Sequence, residues 1–209
     1  MRIVAAVVGL VLSLSGAVAM AADTYQEGKD YVTLAEPVTP KDPSKIEVTE
    51  VFSYLCPHCF HFEPLLSAWA KKQPADVSLV LVHASFNHNW PVYQRGFYTA
   101  QALGLKDKVH QQVFDTVHVA HKELLTAQDW ADFLSLYGAD KATVVKTFDS
   151  FGVTSQMKQA DARVRDLKIA STPQLVVNGK YRITATKHEE ILAVAQFLVD
   201  KIRAERAKH

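Results

Sequence analysis

The sequence predicts an α/β domain interrupted by an all-helical insertion. Three observations predict it. A strand, a helix and a second strand can be read between residues 46 and 83. From about 89 to 167 the apolar residues recur at helical spacing and no strand pattern appears. Strand signals then return at 174–183 as a hairpin, and a final helix follows.

Residues 22–44 are rich in turns, and Pro37, Pro40 and Pro43 make 38–44 an extended connection. Residues 46–54 are β-branched and aromatic and read as a strand. A helix is expected over 60–72, with Phe62, Leu65, Leu66 and Trp69 at helical spacing and Pro64 as a kink inside it. Residues 77–83 are nearly all apolar, as in a strand buried on both faces. The block 89–167 divides into helices at 91–103, 106–119, 127–136, 141–151 and 155–167. Gly104, Gly138 and Gly152 stand where left-handed helix ends are useful, and Thr126 with Asp129 forms a capping box. Asn178-Gly179 between apolar runs signals a tight hairpin, because both turn residues must reach positive φ. Thr186 and Glu189 form a second capping box, opening a helix that runs through Ile202.

The first residues do not belong to this pattern. Arg2, the apolar run 3–12 and the small-residue ending Ala19-Met20-Ala21 describe a secretory signal peptide over 1–21, leaving 22–209 as the mature domain. No other segment is long and apolar enough to span a bilayer, so a soluble exported protein is expected. The formal net charge is +1, without a basic run, which argues against a nucleic-acid partner.

The chain has 2 cysteines, Cys56 and Cys59, separated by Pro57 and His58. A bridge across so short a loop removes little entropy from the unfolded chain, so its value is chemical rather than structural. Thiol–disulfide exchange needs an attacking thiolate and a second thiol to resolve the mixed disulfide. A C-x-x-C turn entering a helix supplies both. The first cysteine sits where unpaired N–H groups and the helix dipole favour negative charge. Cys56 is therefore the expected nucleophile and Cys59 the resolving thiol. Pro57 and His58 tune the potential, with His58 able to stabilise the Cys56 thiolate. A zinc site through Cys56, Cys59 and His61 is the competing chemistry, but no second ligand pair completes it. His110, His118 and His121 read as scattered surface histidines. Phe86, Trp90 and Tyr93 fit either a substrate groove or the core.

Cys56-Pro57-His58-Cys59, Pro64, Thr172-Pro173 and the helical insertion together resemble the DsbA proteins of the bacterial periplasm, within the thioredoxin-like superfamily. The resemblance covers nearly all of 22–209 and implies a thioredoxin-like fold. It implies that Pro173 is a cis proline facing the cysteines, with the backbone before it pairing to substrate. Glu50 matches the family's buried acid near the active site. The lysine that often faces that acid is replaced by Leu81, which puts a relay through Glu50 in question. The implied activity is donation of the Cys56–Cys59 disulfide to reduced, unfolded or folding secreted polypeptides. Reoxidation would come from a DsbB-type membrane quinone reductase, with no bound cofactor and a monomeric enzyme. A disulfide isomerase or reductase is the nearest alternative. A zinc-binding or holdase module without redox activity is the alternative from another class.

Overall fold

The computed structural model describes residues 24–208, and the signal-peptide reading of 1–21 lies outside them. Five strands and seven helices follow among the described residues. They are β1 (Tyr31–Thr33), β2 (Ile46–Phe52), α1 (Pro57–Ala70), β3 (Val77–His83), α2 (Trp90–Ala102), α3 (Lys106–His118), α4 (Ala127–Ser135), α5 (Lys141–Phe148), α6 (Phe151–Asp166), β4 (Gln174–Val177), β5 (Tyr181–Ile183) and α7 (His188–Arg206). None of these helices is long and apolar enough to cross a membrane.

The sheet runs β1-β5-β4-β2-β3. β2 and β3 are parallel, joined through α1, while β2–β4, β4–β5 and β1–β5 are antiparallel. All seven residues of β2 are buried, as a central strand requires. β3 departs from the expectation of two-sided burial. It is an edge strand, and its first five residues are only partly covered. A continuous apolar run does not distinguish a central strand from an edge covered by neighbouring helices. β1 was not legible, because three residues are too few to show alternation. Its anchor is Tyr31, whose ring meets Tyr181 edge-on at 5.6 Å.

Two apolar clusters sandwich the sheet. Val48, Leu175 and Val177 face α1 and α7 through Phe62, Leu66, Val194 and Leu198. Val51, Val82 and Val176 join the larger cluster of the helical insertion, which contains Phe97, Phe114, Trp130 and Leu134. A buried ion pair, Arg163 on α6 with Glu47 on β2, ties the insertion to the sheet. The Glu47 carboxylate also accepts from the Thr49 hydroxyl at 2.6 Å and the Lys41 N–H at 2.8 Å.

Several boundaries move. α1 begins at Pro57 rather than residue 60, because Cys56 is its N-cap and Pro57 suits the first helical position. The last insertion helix begins at Phe151, with the Ser150 hydroxyl accepting from the Val153 N–H. Gly152 therefore lies inside α6 and ends no helix. Gly104 and Gly138 do adopt positive φ, at 71° and 101°. The Thr126–Asp129 capping box is present in full. That at Thr186 is not: Lys187 caps α7 without a side-chain bond, and Glu189 and Glu190 face the helix dipole instead. Asn178 and Gly179 take φ of 53° and 61°, as the hairpin requires. Gly179 is further constrained by the extended connection, since a Cβ there would fall 1.7 Å from the Val38 carbonyl oxygen.

Candidate active site

β2 delivers the chain to the site, and a short turn swings it into α1. The Cys56 N–H donates to the Ser53 carbonyl at 3.1 Å, closing the turn 53–56. Cys56 then takes an extended conformation (φ −91°, ψ 113°) at the N-cap, and no oxygen-bearing side chain caps the helix. Its sulfur occupies the place of a capping oxygen, facing the first free N–H groups of α1. Both cysteines are free thiols. Cys56 is 6% exposed and Cys59, one turn deeper, is 0% exposed.

These surroundings separate the two acids. The Cys56 pKa falls from 9.0 to about 5. The largest cause is a hydrogen bond from the Cys59 thiol. Burial opposes it, and the Thr172 side chain and the backbone N–H groups of Cys59 and His58 add to it. Burial pushes the Cys59 thiol far upward, with further contributions from Cys56 and Glu50. The His58 side chain was expected to help the Cys56 thiolate, but its contribution here is the backbone N–H.

Thr172 and Pro173 close the site from the opposite side through a cis peptide bond. The Cys56 thiol donates to the Thr172 carbonyl at 3.4 Å. That contact serves the neutral thiol, whereas the Thr172 hydroxyl serves the thiolate. Beside this loop opens a groove of about 450 Å³, lined by His58, Thr172, Pro173, Gln174, Arg182 and His188 among others.

Glu50 is 1% exposed and shares a sheet face with Leu175 and Val48. Its Oε2 has no hydrogen-bond partner, and Leu81 stands beside it in register on β3. Burial first, then Glu63 and Cys56, hold the Glu50 carboxyl well above the usual carboxylate range.

The histidines overturn the surface reading for two of the three named. His110 is buried, with its Nδ1 2.9 Å from the Tyr54 hydroxyl and its Nε2 3.3 Å from Glu63. His118 Nε2 donates to the Tyr54 carbonyl at 2.8 Å. His121 is exposed. A third partner, His83, was not singled out in the sequence. Its Nε2 accepts the Tyr54 N–H at 3.1 Å and its Nδ1 donates to the Ala84 carbonyl at 2.7 Å. Burial holds the His83 imidazole neutral, with a pKa lowered to about 3. The available signal was modest: a histidine ending an apolar strand, and two histidines eight residues apart on one helix. Tyr93 belongs to the core, whereas Phe86 is 41% exposed and lies against Trp90 at 5.7 Å.

A thioredoxin-type sheet, a dithiol at a helix start and a cis-proline loop facing it define a thiol–disulfide exchange protein. A family model described as Thioredoxin (Thioredoxin_4) matches residues 35–196. The thiol:disulfide interchange protein DsbA of Pseudomonas aeruginosa is 42% identical over 199 residues, covering 94% of each chain. That of Azotobacter vinelandii is 42% identical, covering 85% of this chain and 84% of its own. The crystal structure of the Pseudomonas aeruginosa DsbA superposes with a TM-score of 0.83, covering 90% of this chain and 99% of that one at 42% identity. The oxidoreductase DsbA of Xylella fastidiosa gives 0.82 at 33% identity, covering 86% and 98%. The chain belongs to the DsbA family, and it is a thiol:disulfide oxidoreductase.

Proposed function

We propose that the chain donates its Cys56–Cys59 disulfide to reduced, unfolded or folding secreted polypeptides. A substrate thiolate attacks the Cys56 sulfur, and the Cys56–Cys59 bond breaks. The Cys59 sulfur leaves as a thiolate and takes up a proton. A second substrate thiolate then attacks its own sulfur in the mixed disulfide, expelling Cys56 as a thiolate. Two electrons pass from substrate to enzyme, and the substrate gains a disulfide.

The observation carrying this direction is the place of Cys56 at the N-cap of α1, facing the cis Thr172-Pro173 loop, which favours the thiolate and lowers its pKa to about 5. Whatever stabilises that thiolate stabilises the reduced enzyme, and so makes its disulfide the more oxidising partner. A low pKa also makes Cys56 a good leaving group in the second step. Glu50 is the nearest candidate proton source for Cys59, because burial, Glu63 and Cys56 hold its carboxyl well above the usual carboxylate range; Leu81 stands where a cation would otherwise face it. Thr172 and Pro173 bind the substrate backbone beside the Cys56 sulfur, and the groove past His58 receives the chain that follows.

Residues 1–21 direct export to the periplasm and are removed near Ala21. The dithiol is reoxidised by a DsbB-type membrane quinone reductase, the enzyme works as a monomer, and the redox centre is the cysteine pair without a bound cofactor. Equilibration with glutathione tests the core of the proposal. The Cys56–Cys59 pair should be far more oxidising than the thioredoxin value of about −270 mV. A potential at or below that value, or a dimer recovered from cells mainly as the dithiol, would make the enzyme a reductase or isomerase instead.

A further inference from the structure

Tyr54, two residues before the nucleophile, has all three of its polar groups held by histidines. Its N–H donates to His83 Nε2 at 3.1 Å, its carbonyl accepts from His118 Nε2 at 2.8 Å, and its hydroxyl lies 2.9 Å from His110 Nδ1. The two backbone bonds fix the imidazole states. A carbonyl can only accept, so His118 carries its proton on Nε2. An N–H can only donate, so His83 offers a bare Nε2 and donates from Nδ1 to Ala84.

The clamp is joined to the redox helix at a second point. The His118 ring stacks on Phe60, the residue after Cys59, with centroids 4.9 Å apart and an interplanar angle of 20°. His118 and His110 both belong to α3 of the inserted helical block. Tyr54 sits in the middle of the turn closed by the Cys56 N–H and the Ser53 carbonyl. One element of the insertion therefore grips the chain just before Cys56 and just after Cys59.

We infer that His118, supported by His110, is a positioning residue for the redox reaction: by anchoring the Tyr54 turn to α3 it holds the Cys56 sulfur over the first turn of α1. The inference rests on the proposed role of Cys56. The physical reason is geometric. The sulfur faces the His58 and Cys59 N–H groups, the Cys59 thiol and the Thr172 side chain only while the turn is held in place. A turn released at its central carbonyl can rotate that sulfur away from aligned donors, and such bonds weaken steeply with angle.

The test compares His118→Phe, His118→Gln and Tyr54→Phe with the unaltered protein. The thiolate titration of Cys56 is followed by ultraviolet absorbance, and the redox equilibrium is measured against glutathione. Phe keeps the stack on Phe60 but cannot donate; Gln can donate but cannot stack in the same way. His118→Phe should raise the Cys56 pKa and make the disulfide less oxidising, shifting the glutathione equilibrium about fivefold, as befits one lost hydrogen bond. His118→Gln should reverse most of that shift. Tyr54→Phe, which loses only the His110 bond, should produce a smaller change in the same direction. Should His118→Phe merely lower the melting temperature, leaving the titration and the equilibrium unmoved, His118 would be a structural residue and the inference overturned. Should Gln fail to rescue a shift seen with Phe, the donated bond would not be its cause, which also overturns it. An ordinary Cys56 pKa in the unaltered protein would instead sink the proposed oxidase chemistry, so the two failures are separable.

Discussion

At Cys56 the folded chain favours the charged form of an acid, and at Glu50 it favours the neutral form. The two residues therefore drive stability in opposite directions with pH. The Cys56 pKa is depressed from 9.0 to about 5, so its contribution is fully present above 9 and is lost as pH falls through 5. The oxidised protein has no such thiol. Denaturant melts of both forms should show the reduced protein gaining on the oxidised one as pH rises from 5 to 9. Parallel curves would contradict the thiolate at Cys56. The Glu50 pKa is raised, so its contribution is present below the ordinary value of 4.5 and fades as pH climbs toward the folded value. Glu50→Gln, measured on the oxidised protein, should be neutral near pH 4 and stabilising by about 1–3 kcal/mol in alkali. A variant equally stable or less stable than the parent at high pH would contradict a raised pKa at the buried Glu50 carboxyl. Reactivity should follow burial. Iodoacetamide acting on the native reduced protein should label Cys56 alone, with Cys59 reacting only in denaturant.

Among the elements, packing overrides local preference most clearly in α2. Alanine normally improves a helix interior by about 1 kcal/mol over glycine. A Cβ on Gly96, however, would lie 2.0 Å from the ring of Trp130, which is fully buried and cannot retreat. Gly96→Ala should therefore destabilise the protein by about 1–3 kcal/mol in a denaturant melt, opposite in sign to the propensity. Thr126→Ala should cost about 1 kcal/mol by removing the cap of α4. These two sites show what the sequence could and could not reveal. Thr126 and Asp129 carry their own hydrogen bonds three residues apart, so a local pattern announces them. Gly96 matters because of a tryptophan 34 positions away, and nothing near it says so. The redox site divides in the same manner. Cys56 and Cys59 are adjacent in sequence and chemically explicit, whereas His83, His110 and His118 meet only after β3 and α3 are packed beside the turn. His110 and His118 depart from the surface reading because a helix face is named by what covers it, and here the covering residue is Tyr54.

For the molecule as a whole, the inserted helices are attached to the sheet by a charge as well as by apolar contact. Glu47 is fully buried, and Arg163 supplies its countercharge from α6. Arg163→Met should cost about 3–5 kcal/mol, because it leaves a carboxylate stranded in the interior. Combining it with Glu47→Leu should recover most of that loss. A double variant as unstable as Arg163→Met alone would mean that the pair does more than balance charge. The same joint bears on activity, since α6 and α3 belong to one cluster and α3 carries His110 and His118. Loosening it should depress exchange rates before the sheet unfolds, which can be followed by measuring rate and near-ultraviolet circular dichroism on the same denaturant series.

The cysteine count has a bearing on how this chain matures. On the proposed export route, an enzyme that oxidises other polypeptides meets the same oxidants while it is itself still unfolded. Most exported chains with several thiols must search among alternative pairings at that stage. Here there are 2 cysteines, one bridge to make, and no third thiol with which to make a wrong one. Premature oxidation of the nascent chain yields the bond the finished protein uses, so its maturation needs no editing by another catalyst.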